Sequence, residues 1–254
     1  ILGANLLRSG RFKQVVVGGT ECLSRFHFNG FRSLMILDGE PCRPFDDTRA
    51  GLNLGEGAAF VVLETAEHAA QRGVEVLAEL SGWGNACDAF HQTASSDNGI
   101  GAVLSMRQAL KRAALQPADI DYVNAHGTGT PNNDASESAA LHSVFGEKVP
   151  PVSSTKSRTG HTTSASGSIE AVICLLAMRQ GFIPSNLNWQ HAMANGIVPV
   201  AQTLRQQHLR HVLCNSFGFG GNDTSLVFSA PSTSNTSLQT PPLRPVYVKT
   251  VVKF

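Results

Sequence analysis

Asn124-Ala125-His126-Gly127-Thr128-Gly129-Thr130-Pro131 decides how this chain is read, together with its later counterpart Ser153-Ser154-Thr155-Lys156-Ser157-Arg158-Thr159-Gly160-His161. Each is a strand running into a turn rich in glycine and threonine, which is where an α/β fold presents side chains to a pocket. Two imidazoles delivered in this way can converge on one carbonyl oxygen and hold the negative charge that develops there. The pairing points to carbanion chemistry, and it raises the question of which nucleophile works beside it.

Outward from these turns, strands and helices alternate. Residues 14–19 (QVVVGG) read as a buried strand, and 58–64 (AAFVVLE) as a second, entered from Gly55-Glu56-Gly57. Residues 65–72 read as a helix stopped at Gly73 and 76–83 as a strand. Residues 101–115 form a helix with Val103, Met106 and Leu110 on one face. Pro117-Ala118-Asp119 turns the chain into a strand at 120–125. Beyond it come a helix at 135–145, a strand at 149–154, and a helix at 164–179 lined by Ile169, Val172, Ile173 and Leu176. Strands at 211–216 and 224–229 bracket Phe217-Gly218-Phe219-Gly220-Gly221-Asn222. Such alternation implies an α/β architecture with helices packed on sheets.

The ends read differently. Residues 1–10 look like the back half of an amphipathic helix closed by Gly10, as though cut from something longer. From about Ala230 the run PSTSNTSLQTPPLRP reads as a linker or disordered segment. The final VYVKTVVKF alternates and is expected to form an exposed edge strand.

With 254 residues, 42% of them hydrophobic, the chain can bury a real core. A net charge of +1, spread along the chain, gives no nucleic-acid surface. Five cysteines (Cys22, Cys42, Cys87, Cys174, Cys214) without CxxC spacing argue against a disulfide framework or a zinc site and for a reducing, cytoplasmic setting. No apolar run approaches the roughly 18 residues of a membrane span. The FGFGGN turn lacks the Lys-Ser/Thr of a nucleotide-binding P-loop.

Asp119-Ile120-Asp121-Tyr122-Val123-Asn124-Ala125-His126-Gly127-Thr128-Gly129-Thr130 resembles the β-ketoacyl-acyl-carrier-protein synthases of the thiolase-like superfamily, in particular the type II elongating condensing enzymes. Further collinear segments carry the resemblance over residues 1–229: Arg43-Pro44-Phe45-Asp46, Gly55-Glu56-Gly57, Lys156 to His161, Glu170, and Asn215 to Gly221. The Gly51–Gly57 variant further resembles synthases associated with aryl-polyene and flexirubin pigments. The resemblance implies a thiolase-like layered α-β-α-β-α fold that is incomplete here. Residues 1–70 would be the remainder of the N-terminal half, 71–229 the C-terminal half, and 230–254 a linker and tail.

It also implies a chemistry, the decarboxylative Claisen condensation of malonyl-acyl-carrier protein with an acyl chain in fatty-acid or polyketide biosynthesis. His126 and His161 would donate Nε–H bonds to the malonyl thioester oxygen, which requires a neighbour to control their tautomers. Lys156 and Glu170 would be a buried pair supporting His161. Phe219, between Gly218 and Gly220, would gate the site, and Thr128, Thr130 and Thr93 would bind the phosphopantetheine arm. No cofactor and no metal are implied. The implied partners are an acyl carrier protein and a related subunit in a homodimer or heterodimer. Asp134 and Glu137 read as helix-start caps rather than metal ligands, and Arg43-Pro44-Phe45-Asp46 as structural.

Two departures stand out. The family's nucleophilic cysteine is expected about eight residues before Ile1, and none of the five cysteines present reads as a substitute. Asn222-Asp223 stands where many relatives carry Thr-Asn. The alternative expectation is therefore a non-catalytic partner of the chain-length-factor kind, or an inactive truncated fragment. Without the rest of the N-terminal half, a large exposed apolar face is also expected.

Overall fold

Alternating apolar runs build one mixed sheet in the computed structural model, which describes residues 1–231 and the strand at 246–252. The first part contains helix α1 (Leu2–Arg8), strand β1 (Gln14–Glu21), α2 (Arg25–Ser33), β2 (Gly57–Thr65), α3 (Ala66–Gln71), β3 (Ala78–Cys87) and α4 (Ile100–Ala113). Then follow β4 (Tyr122–Asn124), α5 (Pro131–Phe145), β5 (Val152–Ser153), the single turn α6 (Lys156–Thr159) and α7 (Ser166–Gln180). A short pair, β6 (Phe182–Ile183) and β7 (Leu204–Arg205), precedes β8 (His211–Gly218), β9 (Asn222–Ser229) and β10 (Val246–Val252). The large sheet runs β1-β2-β10-β3-β9-β8-β4-β5. Only the β8-β4-β5 end is parallel.

Two apolar cores place the helices. Ala4 and Leu7 of α1 join Ala171, Cys174 and Leu175 of α7 in a core that meets Val61 and Leu63 of β2 on one side. On the other side it meets Tyr122, Val212, Cys214 and Phe228. Helices α1 and α7 thus form one layer between the antiparallel β1-β2 pair and the β4, β8 and β9 strands. The alternate residues Val123, Leu213 and Val227 face a second core with Val103, Met106 and Leu110 of α4 and Ala140 and Leu141 of α5. Strands covered on both faces need apolar residues on both, which is why β4, β8 and β9 lack a polar alternation. The far face of β1 has no such cover, and Val16 there is 66% exposed.

The structure departs from the sequence reading in three places. Helix α2 was not expected. Its phenylalanines form an amphipathic pattern that went unread, and in the structure it buries no residue, with Phe26 and Phe28 exposed. Ser24 starts it by accepting the His27 amide at 3.1 Å. The strand expected at 149–154 shrinks to Val152–Ser153, because Pro150 and Pro151 have no N–H to give the ladder, although the Pro151 carbonyl still accepts from Val123 at 2.9 Å. Finally, β10 is not an edge strand. It lies between β2 and β3, antiparallel to both, so that each of its sides satisfies a ladder that would otherwise end open. The linker expected over residues 232–245 lies outside the described residues.

Candidate active site

Both histidine turns open on one cavity of about 480 Å³. The rings of His126 and His161 sit edge to face, 5.3 Å apart with an interplanar angle of 82°. His126 follows the end of β4, and its turn is gripped from behind by α5, which starts at Pro131. Glu137 accepts the backbone N–H of His126 at 2.9 Å and of Gly127 at 2.7 Å, and the Asn215 amide at 3.2 Å. Asp134 accepts Gly129 at 3.2 Å and Phe45 at 2.7 Å. These two carboxylates therefore hold the turn through its amides and are not the helix-start caps expected: no side chain caps α5, and Glu137 lies beyond its first turn. Gly127 must be glycine, since φ is +34° and a Cβ would lie 2.5 Å from that of Ser154.

Tautomers are assigned by the donors around each ring. Lys156 Nζ donates to His126 Nδ1 at 3.3 Å and to the His126 carbonyl at 2.6 Å, and it pairs with Glu170 Oε1. The backbone N–H of Thr163 donates to His161 Nδ1 at 3.2 Å. An Nδ1 that accepts carries no proton, so both rings hold their hydrogen on Nε2. Both are also neutral. Burial, then the Lys156 charge, pushes His126 well below its usual range, and the same two causes in that order bring His161 to about 3. Burial pushes the Glu170 carboxyl up against the opposing pull of Lys156.

Lys156 was expected to support His161, but its ammonium sits on His126. His161 lies one short turn further along, beyond Gly160. There its backbone is bridged to the 53–55 segment, with His161 N to Asn53 O at 2.7 Å and Gly55 N to His161 O at 3.1 Å. A side chain at the start of α6 points back under the end of β4 and cannot follow the chain to its own far end.

Phe219, at the tip of the β8-β9 hairpin, lines the cavity, is 50% exposed and stacks on Phe31 of α2 at 6.1 Å. Gly218 lines the cavity too, but Gly220 does not. With φ at +81°, Gly220 turns away and donates to the Gln92 carbonyl at 2.8 Å. Thr128, Thr130 and Thr93 all line the wall, the first two joined hydroxyl to hydroxyl at 2.8 Å. Behind the loop, Asp223 is almost fully buried. Burial, then the charges of Asp88 and Glu137, raise its carboxyl to about 7.

The apolar wall (Phe31, Ile36, Leu52) comes from residues 22–54, where the sequence reading placed no element. None of the five cysteines lines the cavity. Cys42 comes nearest the turn, donating to the Thr128 carbonyl at 3.2 Å, but burial pushes its thiol to about 12. Arg43-Pro44-Phe45-Asp46 is a loop clamp. Arg43 pairs with Asp38 at 3.0 Å, and Asp46 accepts the amides of Gln190 and His191 at 2.6 and 2.7 Å. Among the described residues no cluster of three or more His, Cys, Asp or Glu is arranged to hold a metal ion, and no helix is long and apolar enough to cross a membrane.

Known proteins are similar to this chain over most of its length. Residues 2–69 match the β-ketoacyl synthase N-terminal domain and residues 77–190 the C-terminal domain. The 3-oxoacyl-acyl-carrier-protein synthase 2 of Vibrio harveyi is 39% identical over 238 residues, or 89% of this chain and 57% of that protein. A ketosynthase in complex with its chain length factor from Xenorhabdus doucetiae is 36% identical with a TM-score of 0.80, over 91% of this chain and 56% of that one. A type II PKS acyl-carrier protein solved in complex with its ketosynthase bound to the hexaketide gives 29% identity and a TM-score of 0.87, over 91% and 59%. The chain thus spans little more than half the length of the proteins it matches, and its mixed sheet with an intervening helix layer is part of a thiolase-like fold. It belongs to the β-ketoacyl synthase family.

Proposed function

We propose that this chain supplies the malonyl side of a β-ketoacyl-acyl-carrier-protein synthase, within a longer condensing enzyme of fatty-acid or polyketide synthesis. The observation that carries this reading is the pair of neutral imidazoles, each with its hydrogen on Nε2, on one cavity. When a malonyl thioester loses carbon dioxide, the electron pair of the breaking C–C bond passes to the thioester oxygen, and an enolate forms. Two preorganised donors in a water-poor site stabilise that oxyanion, each by about 3–4 kcal/mol. Neutral donors suit the task, because a charged imidazolium beside buried Lys156 would be costly. The enolate carbon then attacks an acyl thioester.

The acyl group would be carried on a cysteine of the kind expected before Ile1. The substrates would arrive on the phosphopantetheine arm of an acyl carrier protein, past Thr93, Thr128 and Thr130, so the reading requires no other cofactor. An acyl carrier protein and a second synthase-like subunit are the partners it calls for. The cysteines, all unpaired, suit a cytoplasmic setting.

The test is malonyl-carrier-protein decarboxylation by an enzyme assembled around residues 1–229. His126→Ala and His161→Ala should each lower it by roughly 10²–10³-fold, and unchanged decarboxylation in both sinks the reading. Reading the coding sequence ahead of Ile1 is the companion check. An uninterrupted frame without a Cys-Ser-Ser-type turn would favour a non-catalytic partner subunit.

A further inference from the structure

His161 owes its setting to residues far from it in sequence. Its ring nitrogen is fixed by the Thr163 amide, and Thr163 itself is strained, a β-branched residue held at φ +31°. Such a conformation persists only where the surroundings hold it. The side chain that grips it lies at the end of β1. Glu21 Oε2 accepts the Thr163 hydroxyl, the Ser164 hydroxyl at 2.8 Å and the Ser164 amide at 3.3 Å. The Ser164 hydroxyl also donates to the Thr20 carbonyl at 2.7 Å. The other oxygen of Glu21 accepts the Cys22 amide at 3.1 Å and lies 3.7 Å from His27 Nδ1.

We propose that Glu21 is a positioning residue for His161: by gripping Thr163 and Ser164 it aims the Thr163 N–H at Nδ1 and so keeps the imidazole hydrogen on Nε2, toward the substrate oxygen. The proposal rests on the reading of His161 as an enolate donor, but its first consequence is a property of the ring that needs no substrate. It makes β1 part of the site although no side chain of β1 lines the cavity. Loss of the carboxylate frees the 163–164 turn to relax toward an ordinary φ. The amide then swings off Nδ1, and the Nδ1–H tautomer becomes accessible.

The test is the ring-nitrogen spectrum of ¹⁵N-histidine-labelled protein at pH 7, with His161 assigned by its disappearance in His161→Gln. Wild type should show the Nε2–H pattern. Glu21→Ala should show a mixture of tautomers and lose roughly 10–100-fold in decarboxylation with KM little changed, the cost of a misplaced group. Glu21→Gln keeps an acceptor oxygen and should restore most of both. Where Glu21→Ala fails to fold, Thr163→Val removes only the gripped hydroxyl and should shift the spectrum the same way. A wild-type spectrum in every folded variant lacking the grip overturns the proposal, whatever the turnover. A shifted spectrum supports it, and if decarboxylation then stays unchanged the donor reading of His161 is what fails.

Discussion

The turn at 126–130 and the loop at 217–221 both border the same cavity, with the rings of His126 and Phe217 5.6 Å apart, and are held in different ways. Two buried carboxylates grip the first through its backbone N–H groups, and Lys156 holds the His126 carbonyl. The second closes the β8-β9 ladder, and beyond that ladder its tip is held by the Gly220 N–H on the Gln92 carbonyl, the Asp88 N–H on the Gly221 carbonyl, a thiol contact from Cys87, and the stacking of Phe219 on Phe31. The roles proposed for the two would account for the contrast. A donor for a developing charge must already be in place, because any reorganisation at the moment of reaction costs rate. A gate of the kind the resemblance implies for Phe219 would have to move, and glycines with half-exposed aromatic surface would suit that.

Removing what holds each turn tests the contrast. The largest effect is expected for Lys156→Ala, which leaves Glu170 buried without its cation. Stability of the 254-residue chain in urea should fall by about 3–5 kcal/mol at neutral pH. A loss as small as that of a surface substitution would mean that the pair is not what holds the turn. Glu137→Ala comes next. It orphans the amides of His126 and Gly127, which should cost roughly 2–4 kcal/mol and lower decarboxylation along with stability. Phe219→Ala should change stability by no more than about 1 kcal/mol. Hydrogen exchange sharpens the same point: the amides of His126, Gly127 and Gly129 should be protected to near the global limit, while those of Phe219 and Gly221 exchange early. Equal protection would erase the distinction.

The smallest effect concerns pH. Asp223 and Glu137 both have carboxyls raised to about 7, chiefly by burial. Between the unfolded value near 4 and about 7, each of these two groups holds a proton in the native state that it has lost in the unfolded one. Their own contribution to stability therefore falls as pH rises through this window and then levels off, while the two neutral histidines contribute with the opposite sign. Asp223→Asn removes one of the two groups. Relative to wild type, the urea midpoint of the variant should gain steadily as pH rises from 4 to 7, and the variant should be the more stable protein at pH 8. An unchanged slope would show that Asp223 is solvated in the native state.

How much of this was legible beforehand differs residue by residue. His126, His161, Thr128, Thr130, Lys156, Glu170 and Phe219 sit in short local motifs, where strand, glycine turn and side chain type follow one another within a few positions. The roles of Glu137 and Glu21 were not legible. Each acts on a backbone amide, and an amide leaves no mark on the sequence of its partner. Phe31 was missed with α2, and Ile36 and Leu52 because a cavity wall assembled from irregular chain has no periodicity. The resemblance assigned Lys156 to His161, whereas the reach of its side chain brings the ammonium to His126 at the neighbouring strand end.

Local patterning suffices for the alternation of strands and helices, for the two histidine turns and for the family, since these depend on residues within a few positions of one another. Folding is needed for everything that depends on separation in space: which ring the lysine touches, which nitrogen carries each proton, and where β10 enters the sheet. Neutral imidazoles illustrate the division. Both histidines can be found by reading along the chain, but their charge state is created by burial and by the distance to Lys156, and those exist only once β4, α6 and α7 have packed together.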